Sequence, residues 1–305
     1  MSAKSHLENI WVGSVQRITF PLILIVSLVA MSYAPELGIP QPLMQLIIFI
    51  STILIVALSE HFIPYSQIWR QKVGKDRRID IASFITAVGV VFPLLNAVAP
   101  SFIAMFMIIF VDIADVGIFP NIGPFVVQVL VAALIAEFGA YWMHRWSHQG
   151  GLLWRFHAVH HSAKRIYWLN SYRSHPVNIA WHFLAGVFIL MLLGTPENVL
   201  FGYAALSAIV SVFQHANADF KYGFLSYIFS TNEVHRWHHS TKMREANNNY
   251  GNVLMIWDLV FRTYFNPTLK APSMVGLSGQ SLMPDDSFWK LMFVPFQHKY
   301  WKKPE

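Results

Sequence analysis

The stretch FVVQVLVAALIAEFGAYWMHRWSH, Phe125 to His148, decides the architecture. From Phe125 to Trp142 it is apolar and close to the ~20 helical residues that a bilayer core requires. His144 and His148 follow at once, four residues apart. Imidazoles at i and i+4 stack on one helical face about a turn apart. The run therefore reads as a membrane helix ending in a pair of nitrogens suited to one metal or to two neighbouring ones. No glutamate follows His144, which separates it from the His-Glu-x-x-His pattern of zinc proteases.

The flanking sequence has the same character. Ile18 to Ala34 and Leu43 to Leu58 are two further spans, and Pro35 and Glu36 follow the first without a small-residue cleavage pattern, so it reads as a retained span. Ile81 to Val111 exceeds one span; Pro93 and Pro100 are expected to break it into a kinked span and a membrane-embedded or interfacial continuation. Val177 to Leu193 and Val199 to Phe213, joined by Gly194, Thr195, Pro196 and Glu197, read as a helical hairpin dipping into the membrane. The expected fold is all-α: a polytopic bundle of about four full spans plus this hairpin, capped by a histidine-rich helical layer.

Orientation follows from lysine and arginine, which are retained in cytoplasmic loops. Arg70, Lys72, Lys75, Arg77 and Arg78 crowd the loop after the second span, whereas Pro35 to Pro42, Asp112 to Gly123 and Gly194 to Glu197 carry neither residue. Both termini, Met143 to Asn178 and everything after Gln214 are thereby expected in the cytoplasm.

Composition agrees with a membrane protein: 55% of the 305 residues are hydrophobic and 12% charged, well under the roughly 25% charged residues of soluble domains. The absence of cysteine excludes disulfides, zinc ribbons, thiolate-bound haem and iron–sulfur clusters anchored by this chain. Any metal must be held by nitrogen or oxygen. The formal charge of +6 is distributed between apolar spans, and with no recognised module this argues against nucleic acid.

Fourteen histidines against sixteen acidic residues is an excess that needs a use. Besides His144 and His148, the chain carries His157-Ala-Val-His160-His161 and His235-Arg-Trp-His238-His239. Both have the form His-x-x-His-His, whose i, i+3 and i+4 positions share a helical face, so each box is expected to point three nitrogens at a common centre. Eight imidazoles exceed the capacity of one ion, because zinc takes four ligands and octahedral iron at most six. Two metals are implied. Neutral imidazole suits iron, zinc and copper alike, and a redox-active pair fits the setting best. A histidine-rich metal transporter is the alternative from another class, but transport favours ionisable residues near the midplane, and these boxes lie at span ends.

The pattern His-x(3)-His, His-x-x-His-His, His-x-x-His-His resembles the fatty acid hydroxylase and sterol desaturase superfamily. The resemblance is reinforced by Tyr141-Trp142-Met143-His144-Arg145, Arg173-Ser174-His175-Pro176, Asn249-Tyr250-Gly251 and Trp257-Asp258, and covers roughly Ile135 to Phe265. It implies a membrane enzyme with two iron ions and dioxygen as co-substrate, hydroxylating or desaturating a lipid, with hydroxylation preferred. An ether-linked glycerol lipid, an amino-acid-containing lipid and a sterol are all within its range. It divides the chain into N-terminal spans (1–123), a catalytic region (124–265) and a cytoplasmic tail (266–305), all one integral domain.

By the same resemblance His215 is an additional ligand, and His175, on a loop because it precedes Pro176, is a further candidate. Glu137, two turns before His144 on the same face, is a candidate to orient a ligating imidazole through its second nitrogen, and Asn249 and Asp258 are candidates of the same kind. His6, His61, His182 and His298 stand alone and receive no role. Trp142, Trp146, Trp154, Trp168, Trp181 and Trp237 flank the boxes as an interfacial belt or the lining of a lipid tunnel. The chain has no flavin motif, nicotinamide fingerprint or fused haem domain, so electrons are expected from a cytochrome, ferredoxin or reductase partner. A bacterial inner membrane is favoured, with the endoplasmic reticulum as alternative because of the terminal Lys302-Lys303-Pro304-Glu305.

Overall fold

The computed structural model describes residues 3–71, 76–110, 119, 122–267, 272–277, 283–284 and 286–301. Lys72 and Lys75 of the basic loop, Val111, most of the loop 112–123 and the terminal Lys302 to Glu305 lie outside the described residues.

Helices α1 (Ala3–Tyr33) and α2 (Gln41–Phe62) are the first two spans. Helix α3 runs as Asp76–Thr86, a π segment Ala87–Val91 and Phe92–Phe110. Pro93 and Pro100 do not break it, contrary to the expectation from sequence. The π segment ends two residues before Pro93 and widens the turn where the proline ring would meet the carbonyl four residues earlier, so the chain passes through without a stop. Helix α4 (Phe125–Ser147) carries the first histidine box at its end, and α5 (Gly151–His161) carries the second. The hairpin is α6, which runs from Pro176–Phe183 through a π segment Leu184–Phe188 to Ile189–Leu192, followed by α7 (Glu197–Gln214). Short helices α8 (Asn232–His238), α9 (Met243–Ala246), α10 (Ile256–Val260) and α11 (Phe288–Phe293) build the cap. Five helices are long and apolar enough to cross a membrane, with Pro176–Leu192 as a shorter apolar one. Among the described residues there is no sheet, only isolated bridges that tie loops together.

Small side chains bring the spans close. Helix α7 packs against α2 and α4, and α4 offers the fully buried Ala132, Ala133 and Ala136 to its neighbours. In a bilayer, where apolar burial does not distinguish lipid from protein, close backbone approach is what holds helices together. Gly139 is the tightest such point, since a Cβ there would overlap the carbonyl oxygen of Ala185 in the π segment of α6. Gly139→Ala is expected to push α6 off α4 and cost about 1–3 kcal/mol, the usual range for overpacking. Gly89→Ala, whose Cβ meets nothing within 4 Å, is the control. Thermal denaturation in detergent separates the two, and equal melting would refute this packing account. At the cap end, Phe20 meets Phe213, Tyr222 and Phe229 edge to face at 5.1–5.5 Å between ring centres, joining α1 to α7 and to the loop that leads into the third box.

Candidate metal centre

Four helices end at one place. His144 lies in the last turn of α4, with His148 as its C-cap. His160 and His161 end α5, His215 is the C-cap of α7, and α8 ends through His235 and His238 into its C-cap, His239. Each helix C-terminus carries roughly half a negative charge from its unpaired carbonyls. Four of them converging favour cations at the centre.

The nine imidazoles fall into two groups. Ring nitrogens of His144, His148, His157, His161 and His238 lie within 4.8 Å of one another, as do those of His160, His215, His235 and His239. The groups abut, with His161 stacked on His239 at 4.4 Å between ring centres. The expectation that each His-x-x-His-His box serves one centre is corrected here: each box is split. A helix advances about 100° per residue, so i and i+4 lie about 40° apart and i+3 lies about 60° to the other side of i. His157 and His161 join the first group while His160 turns to the second. His235 and His239 join the second while His238 turns to the first.

Spacing within the groups is that of ligands. The Nε2 atoms of His144 and His157, and of His161 and His157, are each 3.1 Å apart. In the second group His235 lies 3.0 Å from His215 and 3.1 Å from His239. Nitrogens bound at right angles to one ion, with bonds of about 2.1 Å, are separated by about 3.0 Å. The Nε2 atoms of His148 and His238 are buried without any partner, which a metal ion would supply. The donor set thus fits two ions.

The outward nitrogens of six rings are held by the fold. His144 Nδ1 is 2.7 Å from the Tyr250 carbonyl, His238 Nδ1 2.8 Å from that of Asn248, and His160 Nδ1 3.2 Å from that of Arg173. A carbonyl only accepts, so each of these rings carries its proton on Nδ1 and presents a free Nε2 lone pair inward. The side-chain oxygens of Asn247, Asn178 and Asn170 do the same for His148, His157 and His215 at 3.2, 3.2 and 2.8 Å. These three asparagines were not singled out by the sequence reading. Their only signal is position, one turn or one loop from a box, which many asparagines share.

Burial holds the rings neutral. Loss of water pushes His148 down to about 3 and His160 down to about 4, and His161, His235, His238 and His239 lie well below the usual histidine range, with neighbouring imidazoles adding to the effect. Lowered folded-state values mean that the unfolded chain binds more protons between about pH 6.5 and pH 3–4, so stability falls with pH across that window. Chelator-treated protein is expected to lose thermal stability steadily from pH 7 to pH 5, and two bound metal ions should move that loss to lower pH. A metal-free melting profile flat over the interval would contradict the neutral-imidazole assignment.

The remaining candidates sit elsewhere. Glu137 touches no imidazole; its buried carboxylate accepts from the backbone nitrogens of Asn252 and Val253 at 2.9 and 2.6 Å and from the Tyr203 hydroxyl at 3.2 Å. It ties α4 and α7 to the turn after the third box. Asp258 accepts from the nitrogens of Tyr250 and Gly251 at 2.9 and 2.7 Å and from the Thr263 hydroxyl at 2.6 Å, which positions the Tyr250 carbonyl for His144. Asn249, in a left-handed conformation at φ 57°, bonds the Val234 and Phe265 carbonyls. His175 caps α6 by accepting from the Val177 nitrogen, while its other nitrogen faces the Met292 carbonyl at 3.2 Å. Both its nitrogens are engaged away from the two groups.

His182, given no role from sequence, stands beside the first group. Its ring lies 5.5 Å from that of His144 and 5.7 Å from that of His157, and its Nε2 is buried without a partner. It reaches the centre from α6, after a turn that sequence spacing does not reveal. The tryptophans divide: Trp146 is exposed, Trp237 is buried against Phe265, and Trp154 lies 5.3 Å from the His148 ring.

Comparison with known proteins gives the family. The fatty acid hydroxylase family pattern matches residues 129–263, from within α4 to just beyond α10. The ornithine lipid hydroxylase of Rhizobium tropici is 34% identical over 243 residues, 77% of this chain and 71% of that protein. Human alkylglycerol monooxygenase is 28% identical over 135 residues, 44% of this chain but 29% of its own length, and the Danio rerio protein is similar at 28% over 136 residues. No solved structure matches the chain. With apolar helices long enough to span a membrane, two histidine groups at their ends and a relative aligned over most of both lengths, the chain is an integral membrane protein of the fatty acid hydroxylase family.

Proposed function

We propose that this protein is a di-iron, dioxygen-dependent lipid hydroxylase whose iron pair is held by His144, His148, His157, His161 and His238 at one position and by His160, His215, His235 and His239 at the other. The observation that carries the reading is the division of nine inward-facing imidazoles into two adjoining sets at ligand spacing. Reduced iron with dioxygen supplies an oxidant able to take hydrogen from an unactivated carbon, which side chains alone cannot do. The protein's own contribution is positional. Nδ1–H bonds to Tyr250, Asn248 and Arg173 carbonyls keep the rings in one tautomer and orientation, and burial keeps bulk water from the centre.

Among lipids, an amino-acid-containing one is preferred, because the ornithine lipid hydroxylase aligns over most of its length whereas the alkylglycerol monooxygenases align over less than a third of theirs. The basic loop between α2 and α3 supports a centre at the cytoplasmic face of a bacterial inner membrane, with an external cytochrome, ferredoxin or reductase as electron donor. The test is lipid profiling under 18O2 of cell membranes that contain either the native chain or His238→Ala. One labelled oxygen is expected in a lipid formed only with the native chain, oxygen and a reductant. Identical lipid profiles in the two membranes would sink the hydroxylase reading.

A further inference from the structure

The tail beyond Phe265 lies outside the matched family region, yet it folds back onto the metal-directed boxes. Gly276 donates its backbone nitrogen to the carbonyl of His239 at 2.9 Å, Thr241 donates to Met274 at 3.1 Å, and Ser240 pairs with Val275. Further on, Met292 receives His175 at 3.2 Å, and Leu291, Met292 and Val294 share a small apolar core with Ala158 and Val159 of α5. Gly276 has φ 122°, a conformation that L side chains rarely adopt, and a Cβ there would press within 3.3 Å of the Ala163 carbonyl. The tail is thus threaded between the second and third boxes.

One consequence is a cavity of about 280 Å³ with His148 in its lining. Trp154 and Ala158 of α5 and Met243 of α9 line it on one side, and Leu277, Met283 and Trp301 from the tail. Among the described residues, neither an acidic residue nor a lysine or arginine lines it. A charged group held inside would lose water without a compensating partner, which is costly, whereas methylene groups would be favoured by burial. The volume falls below the ~300–1,000 Å³ of sites that enclose a whole small molecule. It suits a segment of a larger one, with any charged end left outside in water.

We propose that Leu277, Met283 and Trp301 form the substrate-selecting wall of the metal centre, seating an uncharged methylene segment of the lipid against His148 and setting which carbon faces the metals. The inference rests on the hydroxylase reading for its catalytic meaning, but the pocket can be tested without turnover. Because the chain has no cysteine, Leu277→Cys places a single thiol in the wall. In zinc-loaded protein in nanodiscs, that thiol is expected to react at least tenfold faster with a methanethiosulfonate bearing an alkyl chain than with one bearing a trimethylammonium group. Added 1-decanol and a single-chain lysophosphatidylcholine should each slow it severalfold. Equal rates for the two reagents, or no protection by either probe, would overturn the proposal; protection by decanol alone would assign the pocket to free hydrocarbon and overturn its lipid part.

Leu277→Trp supplies the second arm by filling the cavity. With metal content retained at the native level, the labelled lipid product should fall at least tenfold or move its hydroxyl to another carbon. An unchanged product would refute selection by the wall. Should Leu277→Trp fail to fold, Met283→Phe replaces it, with the same two outcomes. An inactive native protein whose Leu277→Cys thiol is still protected by lipid would sink the hydroxylase reading and leave the pocket standing.

Discussion

His239→Ala is expected to hold one metal ion per chain, and His238→Ala two, although the residues are adjacent in sequence. His239 belongs to the group of four nitrogens and His238 to the group of five. Removing one leaves three in the first case and four in the second. Four nitrogen ligands close a tetrahedral site, whereas three leave an open position and one bond fewer to retain the ion during dialysis. Both variants should lose at least a hundredfold in product formation, at or beyond the roughly 10–100-fold caused by altering a partner outside the metal's own ligands. Metal analysis of purified, dialysed protein decides the matter. Equal occupancy in the two variants, or the reverse order, would show that the box is not divided as described.

The second large effect is expected at Asp258. It is fully buried, and burial pushes its carboxyl up to about 6 against the hydrogen bonds that hold it down. Asp258→Ala strands two backbone N–H groups and the Thr263 hydroxyl. Leaving buried donors unsatisfied costs about 1–3 kcal/mol each, so a loss of about 3 kcal/mol or more is expected, on the order of 5–10 °C in melting temperature. Because Asp258 fixes Tyr250, whose carbonyl holds His144, metal affinity should also fall about 10–100-fold. Asp258→Asn keeps one acceptor and should recover part of both. A variant that melts lower yet binds metal with native affinity would confine Asp258 to a purely structural role.

The membrane helices were legible because span length and hydropathy are properties of contiguous sequence. The boxes were legible because their spacing is local too. What the sequence left open depends on contacts across the fold. Whether His160 serves the same ion as His157 turns on where His215 and His235 lie, and these arrive from other helices. Glu137 has the spacing of a residue that supports His144, yet Asn252 and Val253 claim its carboxylate. His182 was unremarkable in sequence, since the loop between α5 and α6 decides that it returns to the centre. Pro93 was read as a break because a regular helix cannot accommodate it, and the π segment relieves that conflict at the level of backbone geometry. The tail gave no pattern at all; its attachment runs through backbone groups at Met274 and Gly276 that every sequence possesses.

The two groups contain histidine alone among the described residues, with no carboxylate in either. Nine neutral rings carry no charge to offset that of the ions they would surround, and the four helix ends offset it only in part. In a buried, weakly polarisable setting that imbalance grows with every electron removed, so the proposed iron pair is poised toward its reduced form. Iron bound there would be filled by a mild reductant and would stay reduced between encounters. The proposed donor would then need to be neither strongly reducing nor permanently attached, and a diffusible carrier would serve.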